Sequence, residues 1–240
     1  MTGMQRKLAE YRLFFKEFRG SFHTTGAILP SGCSLCRSLS RYVRDTPGPK
    51  HILEVGPGTG VVTRHIIRAM GPDDRVDLVE LNEQFVTCLR RQFVEEPLFA
   101  DVAERANVIH CSIEELRVDQ RYDLIVSGLP LNNFSVASVE QILSALRRLL
   151  CPGGTLSFFE YIVVRRARAL VSGSDERARL RGVGEALDHF LHVGEVRRDL
   201  IWPNVPPAWV HHVRTAGDSR QPPLGEAQAA GAPGQDTGEE

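Results

Sequence analysis

A glycine-rich turn between a buried strand and a helix constrains the fold of this chain more than any other feature. The run Glu54-Val55-Gly56-Pro57-Gly58-Thr59-Gly60 begins within a short strand-like apolar stretch at 51–56, and a segment with helical spacing covers 59–71. Glycines at such a turn let the backbone approach a ligand closely, and open α/β sheets bind ligands outside the carboxyl ends of their strands. The sequence therefore predicts a ligand site at this turn.

Strand-like and helix-like segments alternate through the middle of the chain. Strand-like runs cover 75–81, 106–112, 122–129 and 154–162, and helix-like runs cover 82–96 and 135–150. Asn82 is placed as the N-cap of the first of these helices. The alternation predicts a mostly parallel sheet with helices on both faces. A helix near 174–192 then leads to two runs, 193–203 and 209–216, which predict an antiparallel pair at the sheet edge.

The two ends of the chain differ from this middle part. In residues 1–22, apolar side chains recur at spacings of three and four, with basic side chains largely off that stripe. A basic amphipathic helix of this kind is typical of an interfacial membrane element, although a helix packed on the core or over the ligand has the same pattern. Residues 217–240 are rich in Gly, Pro, Ala, Gln and acid, which predicts a disordered tail. We therefore divide the chain into an extension at 1–45, a ligand-binding domain at 46–216 and the tail.

Charge and hydropathy point to a cytoplasmic protein that meets an anionic partner. Residues 1–45 carry eight basic and three acidic side chains, although the net charge of the whole chain is -1. Such a local excess favours a membrane surface or nucleic acid. No apolar run reaches the eighteen residues of a membrane span, and the first residues lack the pattern of a secretory signal.

Cysteine and histidine spacing does not predict a metal site. Of the five cysteines only Cys33 and Cys36 form a C-x-x-C pair, which follows an expected Pro-Ser-Gly turn, and no second pair completes a zinc site. His211 and His212 alternate along the last strand, so at most one is expected to point inward. Free cysteines and structural histidines are the predicted outcome.

The spacing of the glycine loop resembles the first motif of class I S-adenosylmethionine-dependent methyltransferases, which have a Rossmann-like fold. The spacing is G-x-G-x-G with an acid two residues earlier, whereas a dinucleotide fingerprint requires a glycine at Val61. The resemblance implies a seven-stranded, mostly parallel sheet with an antiparallel edge strand. It also implies that S-adenosylmethionine is the cofactor, with its amino-acid and ribose parts in the glycine loop.

This resemblance, with the strand-end positions, assigns a set of cofactor-binding residues. They are Glu54, Gly56, Pro57, Gly58, Gly60, Glu80, Leu81, Ser112, Ile113 and Ser127. The carboxylate of Glu80, at the end of the second strand, can accept hydrogen bonds from both ribose hydroxyls. Where the family usually places an acid against the adenine amine, this chain has Ser112, whose hydroxyl is expected to serve beside the amide of Ile113.

The loop after the fourth strand, Ser127–Phe134, is the predicted acceptor site. Amino-directed methyltransferases use a polar residue and a proline here to hold the attacking nitrogen. The adenine N6 methylases of ribosomal RNA carry an Asn-x-Pro-aromatic tetrad. With Pro130 as the shared proline, this chain has Gly128 and Leu131 at the asparagine and aromatic positions. That departure argues against an RNA base as the methyl acceptor.

Several longer segments resemble the bacterial phospholipid and ornithine lipid N-methyltransferases over roughly residues 10–215. They are FFKEFRGSFHTTGAILPS, ELNEQF, SGLPLNNF and NVPPAWVHHVR. The resemblance implies up to three methyl transfers to the primary amine of a membrane lipid, with ornithine lipid slightly favoured over phosphatidylethanolamine. The expected partners are the lipid and an anionic inner membrane surface, without nucleic acid. An rRNA adenine N6-methyltransferase and a non-catalytic cofactor-binding module remain as alternatives, and the pattern does not specify an oligomeric state.

Candidate catalytic and substrate-binding residues follow from this hypothesis. The carbonyl groups of Leu129 and Pro130 are expected to hold the amine, and Glu160 and Tyr161, at the end of the fifth strand, are candidates for base and cation contact. The remaining substrate-binding candidates are Tyr11, Asn132 and Phe134. Aromatic faces attract the growing positive charge by about 0.5–2 kcal/mol each. Ordinary core packing is the competing interpretation of Tyr161 and Phe134.

Overall fold

The computed structural model describes residues 30–117, 120–162, 173–202 and 207–215. The predicted amphipathic helix at 1–22, the candidate Tyr11 within it and the predicted tail at 217–240 lie outside these residues. Within the described residues, no helix is both long and apolar enough to cross a membrane. The same residues contain no group of three or more His, Cys, Asp or Glu side chains arranged to hold a metal ion.

Seven strands form one sheet in the order β3-β2-β1-β4-β5-β7-β6. They are β1 (His51–Val55), β2 (Arg75–Glu80), β3 (Ala106–His110), β4 (Tyr122–Ser127), β5 (Leu150–Tyr161), β6 (Glu195–Ile201) and β7 (Ala208–Arg214). The strands β1 to β5 pair in parallel, and β7 runs antiparallel to both β5 and β6. The predicted fold class is confirmed, and so is the antiparallel pair, in which β6 forms the edge and β7 lies inside it.

Helices cover both faces of the sheet. They are α1 (Pro30–Leu39), α2 (Arg41–Asp45), α3 (Val61–Ala69), α4 (Glu83–Glu95), α5 (Pro97–Ala100), α6 (Val136–Leu149) and α7 (Ser174–His192). One face of the sheet packs against α6 and α7, and the other packs against α1, α3 and α4. Because β1 and β4 are buried on both faces, their sequences are nearly continuous apolar runs.

Side chains at the helix starts explain where these elements begin. The Asn82 side chain accepts a hydrogen bond from the Gln84 N–H, which confirms the predicted cap of α4. Ser135 caps α6 in the same way by accepting from the Ser138 N–H. The expectation of a turn at Pro-Ser-Gly was wrong, because Pro30 opens α1 and both Cys33 and Cys36 lie on that helix. A proline is tolerated in the first turn of a helix, where its missing N–H costs nothing. All five cysteines are free, as predicted.

Candidate active site at the carboxyl edge of the sheet

The glycine loop after β1 and the loop after β4 pack directly against each other. The strand order reverses between these two neighbours, and such a switch point is where open α/β sheets bind ligands. Gly56 has φ of 71°, and a Cβ atom on it would lie 2.6 Å from Cδ2 of Leu129. A Cβ atom on Gly128 would lie 2.8 Å from the carbonyl oxygen of Gly56. A side chain at either glycine would therefore force the two loops apart.

Glu80 ties the glycine loop to the end of β2. Its Oε2 atom accepts a hydrogen bond from the Gly58 N–H at 3.1 Å, and its Oε1 atom accepts from the Asn82 N–H at 2.8 Å. Burial raises the pKa of Glu80, although these backbone hydrogen bonds act to lower it. A carboxylate has about four acceptor positions, so each oxygen retains capacity for a hydroxyl donor. The turn itself is closed by a hydrogen bond from the Gly60 N–H to the Pro57 carbonyl at 2.9 Å.

Glu54 is a buried carboxyl group without a hydrogen-bond partner. It is 1% exposed, and neither of its oxygens is hydrogen-bonded in the described part of the chain. Burial raises the pKa of Glu54 to about 8; Thr63 acts to lower this value and the charge of Glu80 to raise it. Thr63 nevertheless makes no hydrogen bond of acceptable geometry with Glu54. Because an unpaired buried carboxyl group is costly, this position suits a donor or a cation from a ligand.

Three further predicted cofactor residues lie at the same edge. Leu81 follows Glu80, and its carbonyl oxygen lies 3.1 Å from Nε2 of His110, a neighbour that the sequence did not single out. Ser112 and Ile113 are buried in the turn after β3, the strand that pairs with β2. The structure therefore brings the predicted cofactor residues together along the ends of β1, β2, β3 and β4.

The loop after β4 turns its acceptor atoms toward its own backbone. The Leu129 N–H lies 3.4 Å from Oγ of Ser127, and the Leu129 carbonyl accepts from the Leu131 N–H at 3.1 Å. The Pro130 carbonyl accepts from the Asn133 N–H at 2.9 Å. A carbonyl oxygen has two lone pairs, so both candidate carbonyls retain one for an amine.

Asn132 places an unsatisfied acceptor within this loop. The residue is 6% exposed, and its Oδ1 atom has no hydrogen-bond partner among the described residues. Its backbone carbonyl and that of Phe134 both accept hydrogen bonds from the Arg179 guanidinium of α7. Arg179 in turn pairs with Glu176 at 2.7 Å, so α7 holds the loop in position.

Of the three aromatic candidates, Phe134 and Tyr161 lie within the described residues, and both pack against other side chains of the protein. Phe134 is fully buried in the apolar cluster formed with α6 and α7. Tyr161 lies on the other face of the sheet, where its ring meets that of Phe159 edge-on at 5.0 Å. Consecutive strand residues point to opposite faces, so Glu160 and Tyr161 share the end of β5 but not one face.

Glu160 lies next to a histidine that the sequence assigned only a structural role. Its Oε2 atom is 3.8 Å from Nε2 of His211, while Nδ1 of His211 lies 2.6 Å from Oε1 of Glu195. The imidazole stacks on Phe158 with ring centroids 5.2 Å apart. Alternation of side chains along β7 was visible in the sequence, but the register that joins β5, β7 and β6 was not.

The prediction that at most one of His211 and His212 points inward was wrong. Both are buried, one on each face, because apolar clusters with helix residues cover both faces of β7. Nδ1 of His212 lies 2.8 Å from Oγ of Ser157, and Nε2 lies 3.5 Å from Oδ2 of Asp199. Burial lowers the pKa of His212 to about 4. His212 is therefore neutral near pH 7 and serves packing.

Comparisons with known proteins place the chain among methyltransferases. Residues 52–154 match the family model described as a methyltransferase domain. The chain is 31% identical over 143 residues to the ornithine lipid N-methyltransferase of Singulisphaera acidiphila, covering 58% of this chain and 74% of that protein. It is 25% identical over 165 residues to the tRNA1(Val) (adenine(37)-N6)-methyltransferase of Pedobacter heparinus, covering 62% and 66% of the two chains.

Solved structures show the same fold. The N-methyltransferase NodS from Bradyrhizobium japonicum WM9, in complex with S-adenosyl-L-homocysteine, superimposes with a TM-score of 0.55 at 14% identity. The match covers 78% of this chain and 88% of NodS. At this level of sequence identity, the structural similarity supports a shared fold and nothing further.

Proposed function

Since this chain belongs to the class I S-adenosylmethionine-dependent methyltransferases, we propose that it methylates the primary amine of a membrane lipid head group. Ornithine lipid is the favoured acceptor and phosphatidylethanolamine the next. The sequence similarity to an ornithine lipid N-methyltransferase supports this choice. The tRNA adenine methyltransferase among the relatives represents the competing class of acceptor.

The residues at the switch point fit the cofactor. The Glu80 carboxylate would hold the ribose hydroxyls, and the backbone of the glycine loop, which has positive φ at Gly56, Gly58 and Gly60, would lie against the ligand. Glu54, buried without a partner, would face the positively charged amino-acid part. Ser112 and Ile113 would contact the adenine. Bound S-adenosylmethionine supplies an electrophilic methyl group on a sulfonium centre.

The unsatisfied Oδ1 atom of Asn132 is the observation that carries the choice of an amine acceptor. An ammonium group has three N–H donors and no acceptor, so it needs a site lined by acceptors. Asn132 Oδ1 and the free lone pairs of the Leu129 and Pro130 carbonyls provide such a site within one loop. Buried acceptors of this kind are normally satisfied, so the unpaired amide oxygen points to a donor from the substrate.

The acceptor must lose a proton before it attacks. A lipid amine that resembles lysine has a pKa near 10, so it is mostly an ammonium at neutral pH. Glu160, at the end of the strand beside the acceptor loop, is the proposed base. Orientation of the amine toward the methyl group contributes up to about 7–11 kcal/mol in favourable cases.

A peripheral position at the inner membrane surface completes the proposal. The basic, apolar-striped segment at 1–22 would dock on anionic lipid and bring the acceptor loop to the head groups. This segment lies outside the described residues, so its part in the proposal rests on the sequence pattern.

Replacing Asn132 tests the acceptor site. We expect Asn132→Ala to raise the KM for ornithine lipid in mixed micelles about tenfold or more, because a hydrogen bond to a charged group contributes about 1.5–3 kcal/mol. Gln141→Ala, on the exposed side of α6, is the matched control and should leave the KM unchanged. Calorimetry should show the same S-adenosylmethionine affinity for both variants. An unaltered KM for Asn132→Ala would remove this residue from the acceptor site.

A further inference from the structure

Three titratable side chains on β5, β6 and β7 form a row that ends at the carboxyl edge of the sheet, and its middle member, His211, is buried. Glu195 Oε1 lies 2.6 Å from Nδ1 of His211, and Nε2 of His211 lies 3.8 Å from Oε2 of Glu160. His211 is 2% exposed, and its Nε2 atom has no hydrogen-bond partner within the described ranges. A buried ring nitrogen without a partner, directed at a carboxylate, requires a reason.

Glu195 determines the tautomer of the imidazole. A carboxylate only accepts hydrogen bonds, so Nδ1 of His211 must carry the proton that Glu195 accepts. In the neutral ring, Nε2 is then an unprotonated base, and its lone pair faces Glu160. The stack on Phe158 fixes the ring plane, and Glu195 Oε1 fixes its rotation.

The ionisable groups that contact the His211 ring in the described part of the chain are Glu195 and Glu160. From β6, Arg198 lies opposite His211 in the strand pairing, with its guanidinium 4.9 Å over the Trp209 ring. From α7, the side chains in the apolar cluster of this face include Leu187 and Phe190, which are uncharged. From β5, Glu160 is the titratable group that faces the ring.

Glu160 lies at the level of the acceptor loop. Phe158 pairs with Ser127 in the β4–β5 register, so Glu160 stands two residues further toward the carboxyl edge, beside the loop that begins at Gly128. The turn Leu131–Asn133 also packs against β5. Glu160 therefore lies between this loop and His211.

We propose that His211, oriented by Glu195, receives the proton that Glu160 removes from the acceptor ammonium. This inference rests on the proposed function. The ammonium N–H bond breaks, and its proton passes to the Glu160 carboxylate and then to Nε2 of His211. The resulting imidazolium keeps its Nδ1 proton and is stabilised by the negative charge of Glu195. After the product leaves, Nε2 returns the proton through Glu160 to water, which restores the starting state.

The 3.8 Å separation suits a pair that tightens when the acceptor binds. Catalytic hydrogen bonds are often long in the free enzyme and shorten in the substrate complex. His211 and Glu195 act through Glu160 and do not touch the substrate, so both are positioning residues. Their roles resemble those of the imidazole and carboxylate in other hydrogen-bonded catalytic pairs, where the carboxylate holds the tautomer and stabilises the imidazolium.

Kinetics of Glu195→Gln test the chain of groups. We expect the kcat for ornithine lipid at pH 7 to fall about tenfold, as part of the roughly 100- to 10,000-fold that acid–base catalysis contributes. The KM and the S-adenosylmethionine affinity should remain unchanged, and the loss should shrink toward pH 9 as more of the amine is deprotonated in solution. Glu185→Gln, on the exposed side of α7, is the control and should behave as the wild type.

Nitrogen NMR provides a readout that is independent of turnover. In protein labelled with ¹⁵N at its eight histidines, the signals lost in His211→Gln identify the ring. In the neutral ring of the wild type, the proton should lie on Nδ1 and not on Nε2. A protonated Nε2 in the neutral ring, or an unchanged kcat and pH profile in Glu195→Gln, would overturn the inference while lipid methylation by the wild type still upheld the proposed function. Methylation of tRNA and no lipid would overturn both.

Discussion

At the scale of single residues, the site combines acidic groups whose environments differ sharply. Glu80 is held by two backbone N–H groups, whereas Glu54 on the neighbouring strand is buried without a hydrogen-bond partner. Burial raises the pKa of Glu54 to about 8, so the free protein keeps this group mostly neutral at pH 7. In the proposed function, the positive charge of the bound cofactor would favour the ionised form of Glu54. We expect the buried Glu54 to lower the stability of the free protein and to raise its affinity for S-adenosylmethionine.

Glu54→Gln should therefore separate stability from binding. The folded pKa of Glu54 is about 8 and its ordinary value is 4.5, so the folded state holds a proton that the unfolded state releases between these values. The free energy of unfolding of the wild type then falls as pH rises from 4.5 to 8. Denaturant unfolding should show Glu54→Gln gaining stability over the wild type across this window, while calorimetry shows weaker S-adenosylmethionine binding. Parallel pH profiles for the two proteins would contradict the assignment.

At the scale of elements, a polar cluster attaches α1 and α2 to the antiparallel end of the sheet. Asp199 of β6 accepts hydrogen bonds from Ser38 at 2.8 Å and from Arg197 at 2.7 Å, and it pairs with Arg41 at 3.1 Å. Burial acts to raise the pKa of Asp199, but these donors outweigh burial and lower it. Ile52 of β1 packs in the same apolar cluster as Leu39 of α1 and Val43 of α2, so these polar contacts also support the strand that leads into the glycine loop.

Removing the shared carboxylate should destabilise the fold without touching the site. Asp199→Ala leaves Ser38, Arg41 and Arg197 without their common partner, and we expect the free energy of unfolding to fall by about 1–3 kcal/mol. Asp188→Ala, on the exposed side of α7, should change it by less than about 0.5 kcal/mol. Urea unfolding of both variants measures the difference. Equal stabilities would show that the cluster does not hold α1 and α2 in place.

The sequence predicted the repeating part of this architecture and missed what depends on strand register. Alternation of strands and helices, the Asn82 cap and the glycine loop follow from local pattern, so the parallel sheet and the grouping of Glu54, Glu80 and Ser112 were predictable. The Glu160–His211–Glu195 contact joins three strands across residues 160–211 and depends on pairings that no local pattern encodes. The burial of both His211 and His212 likewise depends on the helices that pack on the two faces of the sheet, a tertiary feature.

At the scale of the whole molecule, cofactor and acceptor elements share one edge of the sheet. The glycine loop, the acceptor loop and the end of β5 belong to three adjacent strands, β1, β4 and β5. The antiparallel strand β7 extends this edge and adds the group behind Glu160. In the proposed function, methyl donor, amine acceptor and proton acceptor would therefore meet at a single sheet edge, and the acceptor would be a lipid amine.

Transfer of labelled methyl groups from S-adenosylmethionine to defined acceptors tests that claim most directly. Purified full-length protein would be incubated with vesicles of ornithine lipid, with vesicles of phosphatidylethanolamine and with unmodified tRNA, and the products separated. We expect labelled mono-, di- and trimethylated ornithine lipid, less label in phosphatidylethanolamine and none in tRNA. Label confined to tRNA would contradict the lipid assignment and leave the fold and the cofactor site standing.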